Sequence, residues 1–256
     1  MNIYVIMKRT FDTEEKIAVE NGKISDDGVE YIINPYDEYA IEEAIQLRDK
    51  HGGEITVVSI GDEETEKELR TALAMGCDKA VLINNEDVED YDQVSTASIL
   101  AKFFEDKEFD IILGGNVSVD NGTGQIAPRL ADKLGIAHIA TIVNLEVAEG
   151  KATAERDVEG DIEIIEASLP LLVTAQQGLN EPRYPSLPGI MKAKKKPLEV
   201  LELDDLDLDE DDVEGQTEVI DVFLPPKKEA GRILEGELED QVKELVNSLR
   251  SEAKVI

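Results

Sequence analysis

The chain has 256 residues, and 58 Asp and Glu against 26 Lys and Arg leave a formal net charge of −32. A charge of that sign repels phosphate backbones and anionic lipid surfaces, which disfavours nucleic acid and membrane as direct partners. With 41% of residues hydrophobic and grouped in periodic blocks, the chain can bury a core and reads as globular rather than disordered.

Taken in order, Ile3 to Met7 is a first strand; it is too short and lacks the cleavage site of a signal peptide. Lys16 to Val19 and Lys23 to Ser25 flank Asn21-Gly22, a hairpin turn signal. Tyr36 to His51 sets Ala40, Ile41, Ala44, Ile45 and Leu47 near one helical face, and Gly52-Gly53 ends it. Ile55 to Ile60 is a buried strand, after which Asp62 can cap a helix carrying Leu69, Ala72 and Leu73 and closed by Gly76. A strand at Ala80 to Ile83, a helix at Gln93 to Phe104, a strand at Ile111 to Leu113 and a helix at Gln125 to Leu134 follow. Strands apolar throughout and separated by helices imply an α/β fold, a doubly wound, mostly parallel sheet covered on both faces. From about Asn144 the pattern changes to short strands, Leu145 to Ala148, Ala152 to Arg156, Ile162 to Ile165 and Leu171 to Thr174, read as antiparallel additions to one edge.

Beyond Gln176 regular structure thins, because Pro182, Pro185 and Pro188 force an extended or turning loop. Leu201 to Glu214 has Asp or Glu at nine of its fourteen positions and reads as an acidic connector. Leu238 to Leu249 regains helical spacing and is expected to dock on the chain's own core or on a partner. The expected organisation is an α/β nucleotide-binding domain over 1–180, a loop over 181–197, and the connector with an extended C-terminal arm over 198–256.

Cys77 is the single cysteine and there are two histidines, so no disulfide can form within the chain and no metal-ligand spacing exists. That fits a reducing, cytoplasmic compartment and a small buried Cys77. In a doubly wound sheet ligands sit at the carboxyl ends of strands. Four segments converge there: Met7 to Arg9, Asn34-Pro35, Ile60-Gly61, and the loop Gly114 to Gln125 (GGNVSVDNGTGQ). The last holds four glycines and ends at a helix start, so it can cradle a phosphate or be an empty turn. It is neither a dinucleotide fingerprint nor a P-loop. A second feature is Leu179 to Lys196, where Leu187, Ile190 and Met191 precede Lys192, Lys194, Lys195 and Lys196. A basic, apolar stretch in so acidic a chain suggests a docking surface, or else a loop packed on its own domain. No catalytic acid, base or nucleophile stands out, so the chain reads as something other than an enzyme with its own acid or base.

Several long runs resemble one family. They are Ala154 to Ile165 (AERDVEGDIEII) with Pro170 to Thr174, Leu179 to Tyr184 (LNEPRY), Leu187 to Lys196 (LPGIMKAKKK), Asn34-Pro35 before a Glu-Glu-Ala helix, and Arg70 to Gly76 (RTALAMG). Over essentially its whole length the chain is similar to electron transfer flavoprotein beta subunits. The resemblance implies an adenine nucleotide alpha hydrolase-like sheet and an alpha/beta heterodimer. One FAD would be held mainly by the alpha subunit, and an AMP would be buried in the beta subunit. It implies electrons taken from acyl-CoA and related dehydrogenases of fatty acid beta-oxidation and passed to a quinone oxidoreductase. The cofactor-binding positions it implies are Ile6, Asn34, Pro35, Tyr36, Asp37, Ile60, Gly115, Asn116, Val119, Asp120, Asn121, Gly122, Thr123, Gly124 and Gln125. Tyr36 would lie near the flavin. Ile6 and Ile60 would read the adenine, and Thr123 to Gln125 would face the phosphate. The partner loop it implies runs from Pro182 to Lys196, with Leu187, Pro188, Ile190, Met191 and Lys192 as contacts.

The chain departs from the family pattern in two places: the acidity of Leu201 to Glu214, which an adaptation to salty cytoplasm would explain, and a short loop that leaves an alternative. The short Asp120 to Thr123 stretch approaches flavin-bifurcating members, where a second FAD takes the AMP pocket, whereas the LysAlaLysLysLys run favours ordinary members and AMP. A stand-alone nucleotide-binding regulator similar to universal stress proteins would need neither the basic loop nor the C-terminal helix.

Overall fold

The computed structural model describes all residues except 21, 27, 87, 89, 90 and 229, so Asn21 of the expected hairpin turn lies outside the described residues. The elements in chain order are β1 (Asn2–Ile6), β2 (Arg9–Phe11), β3 (Ala18–Glu20), β4 (Lys23–Ser25), β5 (Tyr31–Ile33), α1 (Pro35–His51), β6 (Glu54–Gly61), α2 (Glu66–Met75), β7 (Lys79–Asn84), α3 (Gln93–Phe104), β8 (Ile111–Gly115), α4 (Ile126–Leu134), β9 (Ala137–Ala148), β10 (Lys151–Val158), β11 (Asp161–Ser168), β12 (Leu171–Ala175), α5 (Leu187–Ala193), β13 (Leu198–Leu201) and α6 (Leu238–Ser248). The chain divides into two units, Met1–Ile17 with Ser25–Ile220, and Ala18–Ile24 with Asp221–Ile256. The smaller unit holds the ribbon of β3 and β4 and the helix α6, whose Leu238, Val242 and Leu245 are all exposed.

The larger unit is built on a nine-stranded sheet of order β11-β10-β9-β12-β8-β1-β6-β7-β13. From β9 through β13 neighbouring strands run parallel, with β1 between β6 and β8. Successive residues of a strand face opposite sides. Accordingly, Ile111 and Leu113 of β8 join α1 and α2 in one core, while Ile112 joins α3 and α4 in the other. On the second face Tyr4, Phe103 and Phe104 pack edge-on, with ring centroids 5.0 to 6.2 Å apart. Cys77 is fully buried, and burial pushes its thiol up to about 12, so it is an inert core residue.

Two expectations are corrected. Leu171–Thr174 is not an antiparallel addition: β12 lies inside the sheet, parallel to both β8 and β9. Its side chains are buried at every position, as a central parallel strand requires, whereas β11 at the sheet edge has no buried position. The antiparallel part is the edge of β9, β10 and β11, and β9 begins at Ala137 rather than near Asn144. It changes partner around Thr141, which sits at φ 58°, unusual for a β-branched residue, and whose N–H donates to Thr174 Oγ1 at 3.2 Å.

The acidic connector also differs. It begins as the edge strand β13, with Leu198 opposite Ala80 and Leu201 opposite Ile83. Two 3-10 turns follow, Leu203–Leu206 and Glu210–Val213, which bury Leu203 and Val213 in the α3 face. Several of its acids have local work: Asp205 accepts the Glu202 N–H at 2.9 Å, and Asp209 accepts the Asp212 N–H at 3.1 Å. The larger unit runs on through this segment to Ile220.

Candidate functional site

A cavity of about 330 Å³ opens at the carboxyl ends of β1, β6 and β8, where the strand order turns from one direction to the other. That is the crevice in which open α/β sheets take ligands, and the volume falls in the range of small-molecule sites.

Its floor is polar and tightly determined. Asp37, in the first turn of α1, is fully buried; Oδ2 accepts the Lys8 N–H at 2.8 Å and Oδ1 accepts the Gly115 N–H at 2.7 Å. Burial pushes its carboxyl up to about 7 against the pull of these donors. The approach requires glycine at 115, because a Cβ there would collide with Asp37 Oδ1 and lie 2.7 Å from Tyr36 Cβ. Asn34, also buried, spends its side chain on the Gly-rich loop: Nδ2 donates to Val117 O at 2.9 Å, and Oδ1 accepts the Val119 N–H at 3.2 Å. The loop is further tied to β12, since Asn116 N donates to Ala175 O at 3.0 Å.

Three helices begin at the cavity. The start of α3 is closed by its own Asp92, which accepts from Val94 N at 2.8 Å and Ser95 N at 3.1 Å in a reciprocal box with Ser95. The other carboxylate oxygen of Asp92 accepts from Gln216 N and Thr217 Oγ1, both at 3.0 Å, drawing the acidic segment to the rim. Asn34 gives α1 no side-chain cap, but the Asp37 carboxylate sits in that helix's first turn. Only α4 is left with neither a side-chain cap nor an acid in its first turn, and Gln125, Ile126 and Ala127 line the cavity at its start. Its first N–H groups make this the anion-accepting end. Gly124 precedes it at φ 61°, where a Cβ would lie 3.1 Å from Asn116 O. Lys8, on the wall, pairs with Asp120 of the loop at 2.6 Å. Partial burial raises the Asp120 carboxyl, but Lys8 and Ser118 outweigh it and hold it below its usual range.

Of the fifteen positions singled out in the sequence, ten line the cavity: Ile6, Asn34, Asp37, Ile60, Gly115, Asn116, Asn121, Thr123, Gly124 and Gln125. Pro35, Tyr36, Val119, Asp120 and Gly122 are not on its wall. Tyr36 packs behind Gly115, and the turn closed by Gly122 N donating to Ser118 O at 2.8 Å carries Val119 and Asp120 outward. The α3 side of the cavity, Tyr91, Asp92, Gln93, Thr96 and Leu100, is not among those fifteen positions. The signal was present, an Asp-x-x-Ser box opening a helix after a parallel strand.

The segment from Pro182 to Lys196 is ordered rather than a plain loop, because it contains α5, capped by Ser186 Oγ accepting the Gly189 N–H at 3.1 Å. Leu187 is 81% and Met191 72% exposed, which removes the reading that Leu187 packs on its own domain. Pro188 and Lys192 share this helix, and Ile190 lies partly in a cleft against α2. The segment is held at both ends. At its entry Arg183 donates to both oxygens of Glu42 on α1, at 2.7 and 2.9 Å, and Asn180 Nδ2 donates to Tyr39 O and Glu43 Oε2, both at 3.0 Å. Burial alone would raise the Glu42 carboxyl, yet the Arg183 fork and Gln46 bring it below its usual range; Glu43 is raised by burial, which the Asn180 hydrogen bond does not offset. At its exit the capping is reciprocal. Arg70 of α2 donates to Ala193 O at 3.0 Å and Lys196 O at 2.9 Å, while Lys196 Nζ donates to Leu73 O at 2.9 Å and Cys77 O at 2.5 Å at the end of α2. Lys196 thus turns inward, and Lys192, Lys194 and Lys195 are the lysines left in solvent.

Among the described residues no helix is long and apolar enough to cross a membrane. The profile of the Electron transfer flavoprotein domain matches residues 21–206. The electron transfer flavoprotein subunit beta of Bacillus subtilis is 69% identical over 257 residues, covering all of both chains. That of Syntrophomonas wolfei is 40% identical over 256 residues, covering 100% of this chain and 98% of the relative, and that of Mus musculus 38% over 235, covering 89% and 90%. The chain belongs to the electron transfer flavoprotein family, on its beta-subunit branch.

Proposed function

We propose that the chain is the beta half of a cytoplasmic heterodimeric electron carrier. It pairs with an alpha subunit around one FAD and accepts electrons from acyl-CoA and related dehydrogenases. It delivers them through a quinone oxidoreductase toward the respiratory quinone pool. An AMP fills the cavity as a structural nucleotide. The observation that carries this reading is the uncapped start of α4 facing a mononucleotide-sized cavity, beside a glycine whose Cβ would crowd the loop.

The residues present fit an adenine nucleotide. Ile6 and Ile60 line one side of the cavity, Val58 and Leu100 offer apolar surface, and Thr123 to Gln125 lead into the α4 N–H groups. A second FAD in this pocket is the less favoured reading, because its ribityl chain and isoalloxazine would have to project from a cavity of about 330 Å³. When bound, FAD supplies the redox chemistry. The chain's part is to hold its nucleotide dry, to keep α1 and Tyr36 in place behind Gly115, and to present the partner segment. Leu187, Pro188, Ile190, Met191 and Lys192 form that surface, an apolar anchor beside lysines suited to an acidic rim on the donor dehydrogenase. The exposed stripe of α6 is the surface we assign to the alpha subunit.

Co-expression with the alpha subunit, followed by denaturation and chromatography of the released nucleotides, tests the reading. One FAD and one AMP per heterodimer is the expected result. Two FAD would overturn the AMP assignment, and pairing without flavin would overturn the carrier reading.

A further inference from the structure

Glu42 is a costly residue where it stands. Its side chain is 5% exposed, on α1 between the fully buried Ile41 and the core-facing Ala44 and Ile45, and a carboxylate so placed is destabilising unless paired. An apolar residue there would serve the packing of α1 as well, so the carboxylate answers to something outside the helix. What it meets is Arg183: both guanidinium contacts, at 2.7 and 2.9 Å, and the Arg183 backbone N–H at 3.3 Å converge on it. Arg183 stands four residues before Leu187, with only Tyr184, Pro185 and Ser186 between. The exit of the segment is secured by several bonds to backbone carbonyls, whereas at its entry the Arg183 guanidinium is gripped by the Glu42 carboxylate, beside the two Asn180 bonds.

We propose that Glu42 is a positioning residue for electron transfer between proteins: by gripping Arg183 in a two-pronged pair, it fixes the direction in which Leu187 and Met191 leave the body, and so sets the affinity for the donor dehydrogenase. This rests on the reading of Pro182 to Lys196 as the partner segment. Without the grip the Asn180 bonds still hold the start of the entry, but the stretch from Arg183 to Ser186 is less constrained and docking must order it again, which weakens association without touching the flavin.

The test uses the purified heterodimer as the electron acceptor of an acyl-CoA dehydrogenase, with rates followed against heterodimer concentration. Glu42→Gln keeps the shape and the reach to Gln46 but removes the charge. It is expected to raise KM about tenfold with kcat within about twofold. FAD and AMP content should stay unchanged, and trypsin should cleave after Arg183 faster. Arg183→Lys keeps a cation beside the buried carboxylate but loses the fork, so it should fold normally and give an intermediate KM; it decides the matter if Glu42→Gln folds poorly. Leu187→Ala is the control for the underlying reading. If Leu187→Ala raises KM while Glu42→Gln and Arg183→Lys do not, the positioning role is overturned and the partner segment stands. If Leu187→Ala also leaves KM unchanged, both fall. A loss of kcat or FAD at constant KM would place Glu42 on the flavin side and overturn the proposal.

Discussion

Around the cavity, connecting segments turn their polar groups onto one another. Asp37 takes N–H donors from two different strand ends, and Asn34 spans the Gly-rich loop. Between Pro182 and Lys196 the polar groups instead grip the body at two ends and leave the apolar side chains outside. Both regions are rigid, but the rigidity is built differently. In the cavity it comes from buried hydrogen bonds onto backbone N–H groups and a glycine that lets backbone and carboxyl approach; in the segment it comes from ion pairs and helix caps at the margin. The cavity therefore cannot be altered without cost to folding, whereas the outward face of the segment can.

The sharpest way to break that contrast is Gly115→Val, whose side chain has no space between Asp37 and Tyr36. We expect a loss of about 3 kcal/mol in a denaturant titration and little retained nucleotide. A loss below about 1 kcal/mol would show that the floor is softer than its hydrogen bonds suggest. Asn34→Ala should come next, at about 1.5 kcal/mol, since it leaves a cavity at a buried side chain and strips the Val117 carbonyl and the Val119 N–H of a part-buried partner. At the segment, Leu187→Ala should leave stability within about 0.5 kcal/mol of the parent while slowing electron uptake from an acyl-CoA dehydrogenase. A drop in melting temperature comparable to that of Asn34→Ala would put Leu187 in the fold rather than on its surface.

Much of this was legible in the sequence because it rests on local patterns. Runs such as Ile55 to Ile60 are buried strands by composition alone, Pro35 at the first position of a helix marks its start, and the sites at strand ends follow from topology. What escaped depends on distant partners. The place of β12 inside the sheet is a matter of strand order, although its unbroken apolar run, set against the alternation of Ile162 and Ile164 in β11, was the clue. The helix α5 was hidden by prolines read as breakers; Pro188 sits in its first turn, where no N–H is needed. Nothing local distinguishes Lys196 from Lys192, and only the end of α2 beside it turns one inward. The acidic segment was read by charge alone, so Leu203 and Val213, which fasten it to α3, were passed over.

A further contrast separates the two regions by pH. Asp37 and Glu42 stand on the same helix, five positions apart, and burial acts on both. For Asp37 it prevails, raising the folded value to about 7 from an ordinary 3.8. Between those values the folded chain holds a proton that the unfolded chain has released, so the Asp37 contribution makes stability fall as pH rises from about 4 to about 7, and then level off. Glu42 is held below its usual range, so its contribution is complete above that range and is lost only in acid, as pH falls through the folded value. Thermal melts of the heterodimer between about pH 5 and 8 should therefore show a slope that Asp37→Asn flattens and Glu42→Gln does not. Asparagine keeps one acceptor and loses the other, so the variant should start about 1 kcal/mol less stable at the acid end and close the gap toward the alkaline end. A parallel slope in Asp37→Asn would mean that Lys8 and Gly115 already keep the carboxylate ionised in mild acid, and the cavity floor would then rest on a buried charge, as the entry of the segment from Pro182 to Lys196 does.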